Sequence, residues 1–142
     1  MESNSHKNIA IVGAGNLGQA LANGLVKSGV FSAENITLSR RTTSELSSFE
    51  ENNFRVTNHN SKAVDDSDLI IIAVGPQDAT PVLNSIKKNL KPEKQILIST
   101  MTGVSITSIQ KVVGQHIPIV RIMPKTAVSI CESMTCDCSI SQ

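Results

Sequence analysis

Residues 9–18 read Ile-Ala-Ile-Val-Gly-Ala-Gly-Asn-Leu-Gly. Four apolar residues run directly into Gly13-x-Gly15-x-x-Gly18, and a helical pattern follows at once. This glycine spacing carries meaning when a strand precedes it and a helix follows it. Gly13 permits a tight turn off the strand. Gly15, without a Cβ, lets a pyrophosphate approach the backbone. Gly18 lets the helix pack close to the strand. The unpaired N–H groups of the helix N-terminus, at the positive end of its dipole, then face the phosphates. The competing reading is a glycine-rich turn of some other α/β protein. The strand before the glycines and the helix after them argue against it.

Working outward, strand and helix patterns alternate. Residues 8–12 predict a buried strand. Residues 16–28 predict a helix, with Leu17, Ala20, Leu21, Gly24, Leu25 and Ser28 on one face and Gly29 at its stop. A second strand is expected over 35–39, and a polar helix over 42–52 capped by Thr42 or Thr43. Phe54 and Val56 flank Arg55 in the alternation of a short third strand. Residues 60–67 predict a short helix or turn. Residues 68–74 are apolar without alternation, as in a central parallel strand buried on both faces. Gly75-Pro76 ends it, and a helix follows over 79–90 with Pro81 in its first turn. A fifth strand over 95–99, a helix over 105–113 and a sixth strand over 117–122 complete the series. The expected fold is α/β, a Rossmann-like doubly wound parallel sheet. Ligands bind such sheets at the carboxyl ends of the strands. The loops that matter are therefore 13–18, 39–42, 75–78 and 99–104.

Composition bounds the function. The chain has 142 residues, 39% of them hydrophobic and 18% charged, with a net charge of +1. These values point away from disorder and from a nucleic-acid surface. The aromatics are Phe31, Phe49 and Phe54, with no Trp or Tyr, so stacking platforms for bases are not expected. No apolar run is long enough to span a bilayer, and residues 1–7 form a polar leader without a signal-peptide core. A cytoplasmic protein without membrane or nucleic-acid partners is expected. Cys131, Cys136 and Cys138 read as free thiols rather than a zinc site. His6, His59 and His116 lack the spacing of metal ligands, and no metal site is expected. Asp65, Asp66 and Asp68 read as a solvated cap. No Gly-Lys-Ser/Thr follows the glycines, which argues against nucleotide hydrolysis. Residues 8–130 are expected to form the dinucleotide-binding domain and 131–142 an irregular end.

The end of the second strand decides which dinucleotide. An acidic residue there would bind a ribose 2′-hydroxyl. This chain has Ser39-Arg40-Arg41 instead, and no carboxylate before Glu45. A guanidinium suits a phosphate in charge and geometry, and a serine hydroxyl can donate to one. NADP(H) is therefore the expected cofactor, with NAD(H) possible. The alternative is that Arg40 and Arg41 are ordinary solvated charges.

Several segments resemble the N-terminal domain of the pyrroline-5-carboxylate reductase family, in order, from about Asn8 to Thr135. Residues 11–18 resemble its opening strand and glycine loop, and Ser39-Arg40 its NADP-type strand end. His59-Asn60 resembles a loop whose Asn touches the cofactor. Ala73-Val74-Gly75-Pro76-Gln77 resembles an Ala-Val-Lys-Pro segment on the nicotinamide side. Thr100-Met101-Thr102-Gly103-Val104 resembles an Ala-Ala-Gly-Val stretch, and residues 121–126 resemble Arg-Val-Met-Pro-Asn-Thr. Gly75 and Lys125 stand where the family usually has Lys and Asn, and residues 100–102 are bulkier than its alanines. The resemblance implies cofactor contacts from Gly13, Ala14, Gly15, Asn16, Leu17, Gly18, Ser39, Arg40, Arg41, Asn60, Ala73, Val74, Gly75, Pro76, Thr100, Met101, Thr102 and Gly103. It implies a substrate border at Met123, Pro124, Lys125 and Thr126, and no catalytic residue is assigned.

The implied activity is NADPH-dependent reduction of pyrroline-5-carboxylate, a cyclic imine, to proline in amino-acid biosynthesis. In the family a helical second domain forms a homo-oligomer and carries much of the substrate pocket. This chain is expected to be the cofactor half of such a reductase. The other readings are a stand-alone NADP(H)-binding domain and another two-domain dehydrogenase of the same superfamily.

Overall fold

Ile9–Val12 (β1) is buried at every residue, and its side chains alternate between two cores. Ile9 and Ile11 pack with Leu21, Leu25, Leu38 and Phe49 on one face. Ala10 and Val12 pack with Val64, Leu83, Ile86 and Ile109 on the other. A strand buried on both sides needs helices on both sides. The structure, a computed structural model, describes residues 7–122.

The strands after β1 are Ile36–Ser39 (β2), Arg55–Thr57 (β3), Leu69–Ile72 (β4), Ile96–Ser99 (β5) and Ile119–Arg121 (β6). They form one six-stranded sheet in the order β3-β2-β1-β4-β5-β6. Every pairing is parallel, as the alternating pattern predicts. Asn16–Lys27 (α1) and Ser47–Glu51 (α2) cover one face through Leu21, Leu25 and Phe49. Asn60–Asp65 (α3), Ala79–Ile86 (α4) and Ile106–Val113 (α5) cover the other through Val64, Leu83, Ile86 and Ile109. The register aligns Thr57, Ser39, Val12, Ile72, Ser99 and Arg121 across the sheet. The chain leaves the sheet just past this row on every strand. The strand order turns back between β1 and β4, and a crevice opens there.

Three expectations need correction. The helix expected over 42–52 is a 3-10 helix, Thr43–Leu46, followed by the short α2. Neither Thr42 nor Thr43 caps it with a side-chain hydrogen bond; Thr42 occupies the cap position without one. Serines and threonines fill this stretch and compete for backbone hydrogen bonds, so only buried Leu46 and Phe49 anchor it. The helix expected over 79–90 is α4 flanked by 3-10 turns, Pro76–Asp78 and Lys87–Asn89. Pro81 lies in the first turn of α4, where no N–H is needed. The strand expected over 68–74 ends at Ile72, which releases Ala73 and Val74 toward the crevice. The aspartates near β4 tie down the far end of the sheet: Asp68 accepts from Asn8 N at 3.0 Å, and Asp65 accepts from Asn89 Nδ2 at 3.0 Å.

Gln95 is the polar residue on which that far end depends. It is buried, and its Nε2 donates to Val64 O and Ser67 O, each at 2.8 Å. Its Oε1 accepts from Lys91 N, also at 2.8 Å. Gln95→Leu removes all three bonds and takes from Ser67 O and Lys91 N their side-chain partner, while Val64 O keeps Ser67 N at 3.1 Å. It is expected to lower stability by about 2–3 kcal/mol, read as a shift in urea midpoint, without touching the crevice.

Candidate dinucleotide site

Gly13 turns the chain off β1 with φ +87°, a conformation that side chains rarely adopt. A Cβ there would stand 2.1 Å from Val74 Cγ1. The turn is pinned because Gly13 N and Ala14 N both donate to Ser39 O, at 3.0 and 2.9 Å. Gly15 is the N-cap of α1, and a Cβ added to it would meet nothing within 4 Å. Gly18 faces inward, where a Cβ would lie 3.0 Å from Gly13 O and 3.1 Å from Ile11 Cγ2. The three glycines therefore do three different things: a turn, an open approach and a close packing. The first N–H groups of α1 have no partner within the helix and point to the open side at Gly15.

The groove beside this loop has a volume of about 560 Å³. Val12, Gly13 and Gly15 form one side. Ser39, Arg40, Arg41, Thr42 and Glu45, at and beyond the end of β2, form another. Ala73, Val74 and Gly75, beyond β4, close it with Asn60, Asp78 and Val82. Arg40 Nη1 donates to Ala14 O at 3.4 Å, and Nη2 pairs with Glu45 Oε2 at 3.2 Å. The Ser39 hydroxyl is buried and donates to Asn60 Oδ1. Asn60 Nδ2 in turn donates to Ser85 Oγ at 3.1 Å, linking β2 to α4.

The expected residues thus fall into groups. Gly13, Gly15, Ser39, Arg40, Arg41, Asn60, Ala73, Val74 and Gly75 converge on one groove. Ala14, buried, and Gly18, packed on β1, shape the loop from behind. Leu17 is exposed on the first turn of α1 with Asn16, and Pro76 begins the 3-10 turn after β4. Residues 100–103 lie one strand away. Thr100 Oγ1 donates to Ile72 O at 2.9 Å, Met101 is buried in the second core, and Thr102 and Gly103 are exposed in the turn before α5. Among the described lining residues, none comes from 100–103. Met123, Pro124, Lys125 and Thr126 lie outside the described residues. Of the other lining residues, Thr42 and Asp78 fall in the loops 39–42 and 75–78 that were expected to matter, while Val12, Glu45 and Val82 line the groove without having been expected at the site. For Val82 the available signal was its place one turn beyond Ala79 on the apolar face of α4; for Glu45 it was its place one turn beyond the arginines.

Over residues 8–103 the sequence matches the family described as NADP oxidoreductase, coenzyme F420-dependent. The chain belongs to this family. Pyrroline-5-carboxylate reductase 2 of Dictyostelium discoideum is 40% identical over 135 residues, which are 93% of this chain and 45% of the relative. The structure of a pyrroline-5-carboxylate reductase from Coxiella burnetii aligns with a TM-score of 0.79 at 29% identity, over 87% of this chain and 46% of that one. Plasmodium falciparum pyrroline carboxylate reductase, solved with NADP bound, aligns at 0.75 and 26% identity, over 88% and 45%. This member of the NADP oxidoreductase family spans a little under half the length of these relatives. Among the described residues, no helix is long and apolar enough to cross a membrane.

Proposed function

We propose that this chain is the NADP(H)-binding half of a pyrroline-5-carboxylate reductase. One observation carries the reading: the open approach at Gly15 and the paired arginines after β2 face the same groove, where the strand order turns back. The likeness to named reductases over more than four-fifths of the chain supports the choice of reaction. When bound, reduced nicotinamide supplies the hydride that converts a protonated cyclic C=N to an amine. The work of this chain is placement. The α1 N-terminus and residues 13–18 take the pyrophosphate. Arg40 and Arg41 take the 2′-phosphate. Asn60 holds Ser39 and the α4 side of the groove together. Ala73, Val74, Gly75 and Pro76 border the nicotinamide side. Residues 100–103 and 123–126 are assigned to the nicotinamide and substrate borders on the family resemblance. NAD(H) is the weaker alternative cofactor. The cytoplasmic setting rests on composition, and a homo-oligomeric whole protein rests on the resemblance.

Cofactor titration tests this reading. NADPH is expected to bind more tightly than NADH, and Arg40→Asp to narrow or reverse the gap. Loss of a charge-assisted phosphate contact costs about 1.5–3 kcal/mol, roughly ten- to a hundredfold in affinity. Equal dissociation constants for the two cofactors in the unmodified chain would refute it.

A further inference from the structure

We propose that Glu45 is a built-in competitor for the 2′-phosphate, and so sets how strongly the groove prefers NADP(H) over NAD(H). The inference rests on the cofactor reading above and deepens it. Arg40 and Glu45 line the same groove, with Arg40 Nη2 3.2 Å from Glu45 Oε2. The other end of the guanidinium reaches Ala14 O at 3.4 Å. Arg40 is thus strung between the glycine loop and an internal carboxylate, with its donors engaged at both ends.

Glu45 is held where it can do this. It belongs to the 3-10 helix Thr43–Leu46, and the next residue, Leu46, is fully buried in the first core. The backbone is anchored while the Glu45 side chain stays 57% exposed on the groove wall. A dianionic phosphate arriving at Arg40 must share the guanidinium with this carboxylate and accept its negative charge as a neighbour. A 2′-hydroxyl meets no such opposition, because a neutral hydroxyl donates to a carboxylate. Ser39 offers no compensation, since its hydroxyl is committed to Asn60. Arginine at the strand end and glutamate one turn later therefore act in opposite directions on the same atom group.

The test is calorimetric titration of the 142-residue chain and of Glu45→Gln with NADPH, NADH and adenosine 2′-phosphate, at low and high salt. Glu45→Gln is expected to tighten NADPH and adenosine 2′-phosphate by about two- to fivefold, the scale of one exposed charge acting at short range. NADH binding is expected to hold or weaken. The gain should shrink at about 1 M salt, where the screening length falls to about 3 Å. Glu45→Lys should move the same ratio further in the same direction. It also guards against misfolding of the first variant, because both side chains are solvent-borne. A NADPH/NADH ratio unchanged in both variants, or weakened equally for both cofactors, overturns the inference while leaving the cofactor reading standing. Failure of the unmodified chain to bind either cofactor overturns both.

Discussion

Replacing Gly15 with valine is expected to abolish NADPH binding and leave the fold intact. A Cβ at this position meets nothing within 4 Å beyond its chain neighbours, and the φ of −85° lies in the range that L-residues adopt. The branched side chain would instead fill the space over the α1 N-terminus that a pyrophosphate needs. Affinity should fall by about a hundredfold or more, roughly 3 kcal/mol. Stability should move by no more than about 1 kcal/mol, the scale of an N-cap change. Gly13→Ala is the opposite case. Its Cβ would collide with Val74 at 2.1 Å, and its φ is +87°. The expected loss is about 2–4 kcal/mol of folding stability, from left-handed backbone and overpacking together. Urea unfolding and cofactor titration on both variants separate the two roles. A Gly15→Val chain that binds NADPH normally would show that the phosphates lie elsewhere.

The second large effect concerns turnover. A polypeptide of these 142 residues is expected to bind NADPH and yet reduce pyrroline-5-carboxylate at least about a thousandfold more slowly than a full-length relative, a barrier difference of about 4 kcal/mol. The described groove has walls for a dinucleotide but shows no enclosure around an imine. The relative from D. discoideum has more than twice the matched length. Positioning the two reactants is the contribution that the rest of such a protein would add. Fusing the remaining part of the D. discoideum enzyme to this chain should restore NADPH oxidation, followed by absorbance with the imine as substrate. Brisk turnover by the 142 residues alone would show that the substrate pocket is already complete.

Much of this was legible because the two signals that specify a doubly wound sheet are local. Residues 9–18 place the first turn, and the apolar run within 68–74 marks a central strand, which the structure forms over Leu69–Ile72. Six parallel strands follow from the alternation, and the observed register brings their ends into one row. The ends of elements were less legible. Residues 42–52 carry enough helical spacing to suggest one helix, yet a stretch rich in serine and threonine, which are weak helix formers, gives a 3-10 helix followed by a short α-helix. At the site, sequence placed both arginines but could not show that Glu45 folds back onto Arg40, a contact made in three dimensions across a turn. Nor could it show that the Ser39 hydroxyl is taken by Asn60, 21 residues away. Thr100 and Met101 illustrate a third limit: position at a strand end does not say which way a side chain turns, and these two turn into the fold.

One groove, at the reversal of strand order, is expected to receive NADPH. Amide chemical shifts recorded during an NADPH titration of the isotopically labelled chain test it most directly. The largest changes are expected at Gly13, Gly15 and the first turn of α1, at Arg40, Arg41 and Thr42, and at Ala73 to Gly75. The far end of the sheet around Gln95 should stay unmoved. Changes centred on Gln95 or on His116, or none at millimolar NADPH, would contradict it.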